Sequence, residues 1–339
     1  MTMLNTLVIG AGTMGRTHAA AYAKMEEVTL AGIVDTDLAK AQDLAEKLGT
    51  KAFQTYEEAT ETLDAIDVVS VCVPTPVHKE YVMKAADDNR HVICEKPLAR
   101  SLADAREMIN YCQDKGVKLF VGHVVRFFPE YVRAKQVVDG GKIGKPAVVR
   151  TTRGGAFPMA SNDWYSDFNS SGGLVLDMII HDFDYLRWCF GEVERVYAKS
   201  SRNRVLERLE YALVTLRFES GVIAHVEGTW AHQGFSTKFE IAGKEGIIEY
   251  DSAKVAPVVA SKKETTSSGG VAVPESPMKE NPYFTELQHF INCIKKDTKP
   301  IVSAEDAYKA MEISLAALES IEIGKSVVLK GKKEREAVQ

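Results

Sequence analysis

Nothing in this 339-residue chain marks it for a membrane, a nucleic acid or a disulfide-stapled exterior. No apolar run approaches the ~18 residues a membrane span needs. The N-terminus enters an apolar strand with no basic leader or cleavage site, so no secretory address is expected. The five cysteines, Cys72, Cys94, Cys112, Cys189 and Cys293, are odd in number and form no Cys-x-x-Cys pair. Reduced thiols in a cytoplasmic protein are therefore expected. Positive charge is not in excess: 42 Lys and Arg against 47 Asp and Glu leave a net −5, which gives no footprint for a polyanion or an anionic bilayer. The histidines are scattered, without zinc-type spacing, so no metal is expected. No internal repeat is evident. What remains is a chain with 45% hydrophobic residues, too long for one ordinary core and suited to two domains. Its default partner is a small molecule.

The first domain announces itself by glycine placement. Leu4 to Ile9 reads as a buried strand and runs directly into Gly10-Ala11-Gly12-Thr13-Met14-Gly15, ahead of a helical stretch to about Met25. In G-x-G-x-x-G the first glycine permits the tight turn and the second lets backbone approach a pyrophosphate. The third lets helix pack on strand. The free amides at Thr13 and Met14 and the positive end of the helix dipole would then hold the phosphates. A second strand, Val28 to Val34, ends in Asp35, twenty residues after Gly15, about the spacing of a ribose-binding carboxylate. An acid there accepts from the ribose hydroxyls and repels a 2′-phosphate, so NAD is expected in preference to NADP. Asp37 is a neighbour suited to capping the helix Leu38 to Leu48.

Val68 to Val73 is a further apolar run, halted by Pro74-Thr75-Pro76-Val77-His78. Prolines there fix a loop at the carboxyl edge of the sheet, beside the expected cofactor. His78 reads either as a helix-start residue or as a direct contact. His91 to Cys94 is a short buried strand, and Glu95-Lys96-Pro97 follows at once. Ligands of open α/β sheets sit at such strand ends. Alternating strands and helices make a doubly wound parallel sheet, with Val117 to Val121 its last strand and Gly122 a hinge. The first domain is thus read as 1–121, a substrate and oligomerisation domain as 122–330, and 331–339 as a loose basic tail.

A Rossmann unit followed by E-K-P resembles the Gfo/Idh/MocA oxidoreductases. The segment His123-Val124-Val125-Arg126-Phe127-Phe128-Pro129 is similar to that family's post-hinge Arg-aromatic-x-Pro. Several sugar and polyol members carry a polar or basic residue where this chain has Val125. The resemblance implies a second domain with a largely antiparallel open sheet, covered on one face by helices and forming homodimers or homotetramers through the other. It also implies cofactor contacts from Glu95, Lys96 and Arg126, with His123 a candidate for substrate.

Past the hinge, Ala147 to Thr151 alternates as a strand, and 154–171 is rich in Gly, Ser, Asn and Asp. It reads as a long loop of the kind that covers sites. Trp164 within it would touch substrate or plug the loop. Asp177 and His181 lie four apart among Leu174, Val175, Leu176, Met178, Ile179 and Ile180, placing both on one face of an apolar helix. Such groups need partners, and the residues alone leave open a structural Asp-His pair. G-G-x-x-x-D-x-x-x-H at Gly172, Gly173, Asp177 and His181 resembles the family's catalytic helix, and with E-K-P present the catalytic reading is preferred. Asp182 and Asp184 read as surface or capping groups. Metal ligation by Asp177 and His181 is disfavoured because Lys96 would repel the cation. Strands from Val196 to Tyr250 form a meander, and 261–280 is a polar surface connection. Pro282 to Lys295 is an amphipathic helix whose Tyr283 either contacts substrate or packs. A last helix runs from Ser303 to about Ile323.

The combined expectation is an NAD-dependent dehydrogenase acting on a secondary hydroxyl of a sugar, polyol or inositol. His181 would be the acid/base, a residue type that titrates near ~6.5. Lys96 would polarise the reacting oxygen, and Asp177 would orient its neighbours. A redox-assisted glycoside hydrolase and a non-enzymatic NAD(P)-responsive regulator are the alternatives. Intact proton-transfer groups speak against the regulator.

Overall fold

The computed structural model describes residues 3–160, 163–201, 208–254 and 281–329. The surface connection read at 261–280 and the tail from 331 lie outside them. The chain divides into two compact units. One comprises Met1–Phe127, Asn169–Ser171 and Met278–Tyr308, the other Phe128–Phe168, Gly172–Pro277 and Lys309–Gln339. Among the described residues no helix is long and apolar enough to cross a membrane.

In the first unit the strands are β1 (Leu4–Ile9), β2 (Val28–Val34), β3 (Lys51–Phe53), β4 (Val68–Val71), β5 (His91–Cys94) and β6 (Leu119–Val121). All pair in parallel, in the order β3-β2-β1-β4-β5-β6. The order reverses between β1 and β4, and a doubly wound sheet opens its ligand crevice at the carboxyl ends of those strands. Between the strands run α1 (Thr13–Tyr22), α2 (Leu38–Leu48), α3 (Tyr56–Thr62), α4 (His78–Asp87) and α5 (Leu102–Asp114). The runs read at β1, β2, β4 and β5 form strands that are mostly buried; all four residues of β4 are buried, Ser70 included.

Two features of this unit depart from the sequence reading. The β3–α3 pair goes unread because three residues are too few to show a period. Its one local signal is Thr55, whose hydroxyl accepts from the Glu58 amide to cap α3. Secondly, the chain returns. The helix Pro282–Lys295 belongs to this unit rather than to a continuous second domain, and its Leu287, Phe290 and Ile291 share a core with Val8, Tyr22, Ile33, Ile93 and Phe120. The Phe120 and Phe290 rings stack at 4.9 Å. Burying each such side chain is worth roughly 2–3 kcal/mol, so the amphipathic face read from the sequence is real and its partner is the Rossmann core.

The second unit contains α6 (Pro129–Asp139), β7 (Pro146–Ala156), α8 (Gly173–Asp177), α9 (Ile180–Phe190), β8 (Val193–Ser200), β9 (Tyr211–Phe218), β10 (Ile223–Thr229), β11 (Ala231–Gly243), β12 (Ile247–Asp251) and β13 (Val327–Val328), while the short α7 (Phe168–Ser171) has Phe168 in this unit and Asn169–Ser171 in the first. With the first unit's Pro282–Lys295 numbered α10, the closing helix is α11 (Ala304–Ile323). The sheet runs β12-β11-β7-β10-β9-β8-β13. It is antiparallel except where β7 lies parallel to β10, so the open sheet is mostly antiparallel and mixed at one pairing. β9 buries Ala212, Val214, Leu216 and Phe218 and turns Tyr211, Leu213 and Arg217 outward, the period-two signature of a half-covered sheet. Helices cover the buried face closely: a Cβ on Gly228 of β10 would stand 2.5 Å from Ile179 and 3.4 Å from Leu174, so only glycine lets α8 and the start of α9 lie this near.

Candidate active site

At the end of β1 the three glycines divide their work. Gly10 has φ +99°, and a Cβ there would meet the Cys72 carbonyl at 2.4 Å. A Cβ on Gly15 would stand 1.7 Å from the Gly10 carbonyl oxygen. Both are glycine for the sake of the fold. Gly12 differs: it is exposed, and among the described residues nothing lies within 4 Å of where its Cβ would be. It also occupies the N-cap of α1, where no side chain bonds to the first-turn amides. An open cradle at an uncapped helix N-terminus, lined by Thr13 and Met14, fits a pyrophosphate.

Asp35 closes the other side. Its Oδ2 accepts from the Ala11 amide at 2.7 Å and its Oδ1 from the Asp37 amide at 2.9 Å. A carboxylate offers about four acceptor positions, so two remain for ribose hydroxyls. Asp37 stands at the N-cap of α2 without a side-chain capping bond, and its carboxylate pairs with Lys40 at 3.3 Å.

The turn after β5 is fixed from below. Glu95 is buried; its Oε1 accepts from His18 Nε2 at 3.0 Å and its Oε2 from the Lys96 amide at 3.2 Å. Burial pushes the Glu95 carboxyl up, but the hydrogen bond from His18 and the neighbouring Lys96 outweigh it and hold the group below its ordinary value. Lys96 is half-buried at the lip of the sheet. Gly122, read as a hinge, also leaves room for this carboxylate: a Cβ there would lie 3.0 Å from Glu95 Oε1. Gly122→Ala is expected to cost about 1–3 kcal/mol through overpacking, measured by urea unfolding. A cost under roughly 0.5 kcal/mol, the scatter of neutral surface changes, would show that the carboxylate moves aside freely.

Pro74 is exposed and Thr75 buried on the turn after β4. His78 is buried, with Nε2 2.9 Å from the Val73 carbonyl and Nδ1 3.0 Å from that of Pro97. Burial holds its imidazole below the ordinary value in spite of these carbonyls. Both ring nitrogens face backbone, so His78 ties the β4 loop to the Lys96–Pro97 turn instead of offering a nitrogen to a nucleotide. Arg126 is likewise committed, its Nη1 donating to the Ile301 carbonyl at 2.8 Å with Nη2 3.6 Å from Asp306. Its expected cofactor contact would have to come from donors not already turned to that segment. His123 and Val125 are buried beside it, and Tyr283 is buried on α10.

Asp177 and His181 lie in the second unit, with one correction. They do not share a continuous helix: α8 ends at Asp177, and α9 starts at Ile180. At the joint both Met178 and Ile179 donate to the Leu174 carbonyl, at 3.0 and 3.1 Å. Asp177 is buried and His181 half-buried. Asp182 and Asp184, read as surface or capping groups, are both buried. Asp182 accepts from Arg153 Nε at 2.5 Å and Nη2 at 3.4 Å, and that guanidinium also reaches the Tyr131 hydroxyl at 3.4 Å. The residue after His181 is therefore anchored to β7. At the other end, buried Glu210 accepts from the Leu174 amide at 3.0 Å, capping α8. None of Arg153, Glu210 and Gly228 stands out in the sequence. The Trp164 ring lies tilted against its neighbour Tyr165 at 4.0 Å and 31°, and the loop read from 154 begins only after β7 ends at Ala156.

Comparison with known proteins agrees with this architecture. A family model described as an oxidoreductase family with an NAD-binding Rossmann fold matches residues 4–123, and one for a GFO/IDH/MocA C-terminal domain matches 131–249. The chain is 34% identical to a myo-inositol 2-dehydrogenase of Thermotoga maritima, over 95% of this chain and 97% of that protein. It is 29% identical to a scyllo-inositol 2-dehydrogenase (NAD(+)) of Bacillus subtilis, over 95% of each. A crystal structure of a probable dehydrogenase from Thermotoga maritima superposes with a TM-score of 0.83 at 33% identity, covering 96% of this chain and 99% of that one.

Proposed function

Because the chain belongs to the Gfo/Idh/MocA family of NAD-binding oxidoreductases, we propose that it is an NAD-dependent dehydrogenase interconverting a secondary alcohol of a cyclitol, sugar or polyol with its ketone. NAD, when bound, supplies the acceptor for the hydride. In oxidation His181 takes the hydroxyl proton and returns it in the reverse direction. Lys96 donates to the same oxygen and stabilises the charge that develops on it. Asp177 orients and tunes these cationic or imidazole neighbours. Gly12, Thr13, Met14 and Asp35 hold the dinucleotide.

The observation that carries this reading is the position of Lys96. It stands at the carboxyl end of β5, where ligands of open α/β sheets bind, on a turn pinned through its own amide to buried Glu95. The likeness to relatives named as inositol dehydrogenases supports trying cyclitols first, and the apolar Val125 makes aldoses and linear polyols the necessary comparison. The test is NADH formation across a panel of inositols, aldoses and polyols with pH varied. Turnover of at least one cyclitol or sugar with NAD supports the proposal. Absence of NADH throughout, with a glycoside cleaved and NAD retained, would replace it with redox-assisted hydrolysis; no turnover of any kind would remove it.

A further inference from the structure

Behind the glycine turn lies a buried chain of polar side chains that takes no part in the proton transfers above. The Tyr22 hydroxyl and Ser70 Oγ are 2.7 Å apart, Ser70 Oγ and His18 Nδ1 3.1 Å, and His18 Nε2 and Glu95 Oε1 3.0 Å. Tyr22, Ser70 and His18 are fully buried at 0% exposure. A buried run of this kind is stable only when each member is satisfied, and one assignment satisfies all of it. Tyr22 donates to Ser70, Ser70 to His18 Nδ1, and His18 Nε2–H to Glu95, whose second oxygen accepts the Lys96 amide. Burial pushes the Tyr22 phenol up, which keeps it a donor. The chain crosses from α1, whose first turn forms the pyrophosphate cradle, through β4 to the end of β5.

We propose that His18 is a positioning residue, acting through the Glu95 carboxylate to hold the Lys96 turn at the nicotinamide end of the site. This rests on the dehydrogenase reading for what Lys96 does, but the hydrogen-bonded chain itself does not. Apolar replacement of His18 leaves buried Glu95 with the Lys96 amide and charge alone, so the carboxylate takes up a proton more readily. The titratable groups around Glu95 are His18 and Tyr22 on α1, Cys72 after β4, His78 on α4, and its neighbours Cys94 and Lys96. Of these, His18 is the one that donates to it through a side chain.

The experiment compares full-length wild type with His18→Leu, His18→Gln and His18→Asn. Glutamine places a donor where Nε2 stood, whereas asparagine preserves only the Ser70 side. His18→Leu is expected to weaken NADH about tenfold and to leave ADP-ribose, which lacks the nicotinamide, within about twofold. On a substrate that wild type oxidises, kcat should fall about 10²-fold with KM little changed. The acid limb of the kcat profile should move to higher pH, because Glu95 is protonated and lost as a carboxylate when pH falls. His18→Gln should recover NADH binding and kcat to within about threefold, and His18→Asn should not. Should His18→Leu fail to fold, the glutamine and asparagine pair decides alone. Equal loss of NADH and ADP-ribose, equal behaviour of glutamine and asparagine, or an unmoved acid limb would overturn the proposal and leave His18 a packing residue. Failure of wild type to oxidise any polyol would instead remove the dehydrogenase reading, and the two nucleotide affinities would still decide the role of His18.

Discussion

Lys96→Met is expected to lower kcat by roughly 10³-fold or more while the affinity for NAD changes less than about threefold. Methionine keeps most of the stem and its packing and removes the ammonium. Losing one donor aimed at a developing oxyanion costs about 10²–10³ in rate. Loss of help in the coupled proton transfer adds a further factor, since correct positioning of that proton is worth about 10²–10⁴. Binding should survive because the turn is held by backbone and not by this side chain: the Lys96 amide donates to Glu95, and His78 is buried between the carbonyls of Val73 and Pro97 with one N–H to give. Pre-steady-state turnover and NAD titration on the same preparation separate the two quantities. Activity within about tenfold of the parent, with the fold intact, would end the assignment of Lys96 to the reacting oxygen.

Much of this arrangement is visible in the sequence, and what is hidden is hidden for physical reasons. Gly10, Gly12 and Gly15 are legible because a local turn dictates them, and Asp35 because the length of one strand-helix-strand unit sets its spacing. The amphipathic face of α10 is legible too, but a periodicity names no partner, and its place on the Rossmann core had to come from three-dimensional packing. The break between α8 and α9 escaped because Leu174 to Ile180 is apolar but for Asp177, and such a run reads as one helix. His18 and Glu95 are 77 residues apart, and no local pattern links them. A signal did exist: Gly15, His18, Ala19 and Tyr22 are all buried on α1, so the histidine sits on the apolar stripe, and Ser70 interrupts an otherwise aliphatic strand. Two polar residues at core positions demand partners, and those partners sit beneath Lys96.

Cofactor choice depends on the other end of the crevice. Exchanging Asp35 for Ser together with Thr36 for Arg is expected to shift the ratio of kcat/KM for NAD to that for NADP by about 10³-fold toward NADP, some 4 kcal/mol. The Asp35 carboxylate is held by the amides of Ala11 and Asp37, so it cannot swing away from a 2′-phosphate, and two like charges at that distance repel strongly in a partly desolvated crevice. Serine removes the charge and keeps one short acceptor. Thr36 is exposed, so an arginine there has room to bring a fork of donors to the phosphate. Thr36→Arg alone should shift the ratio far less, because the carboxylate remains. The double variant also gives up at least one of the two amide hydrogen bonds to a charged acceptor, worth roughly 1.5–3 kcal/mol, so some loss of thermal stability should accompany the switch and NADP should restore part of it. Kinetics with both cofactors, and calorimetry with ADP-ribose and its 2′-phosphate, measure the shift directly. Discrimination that stays within about threefold of the parent would mean that a residue other than Asp35 reads the ribose.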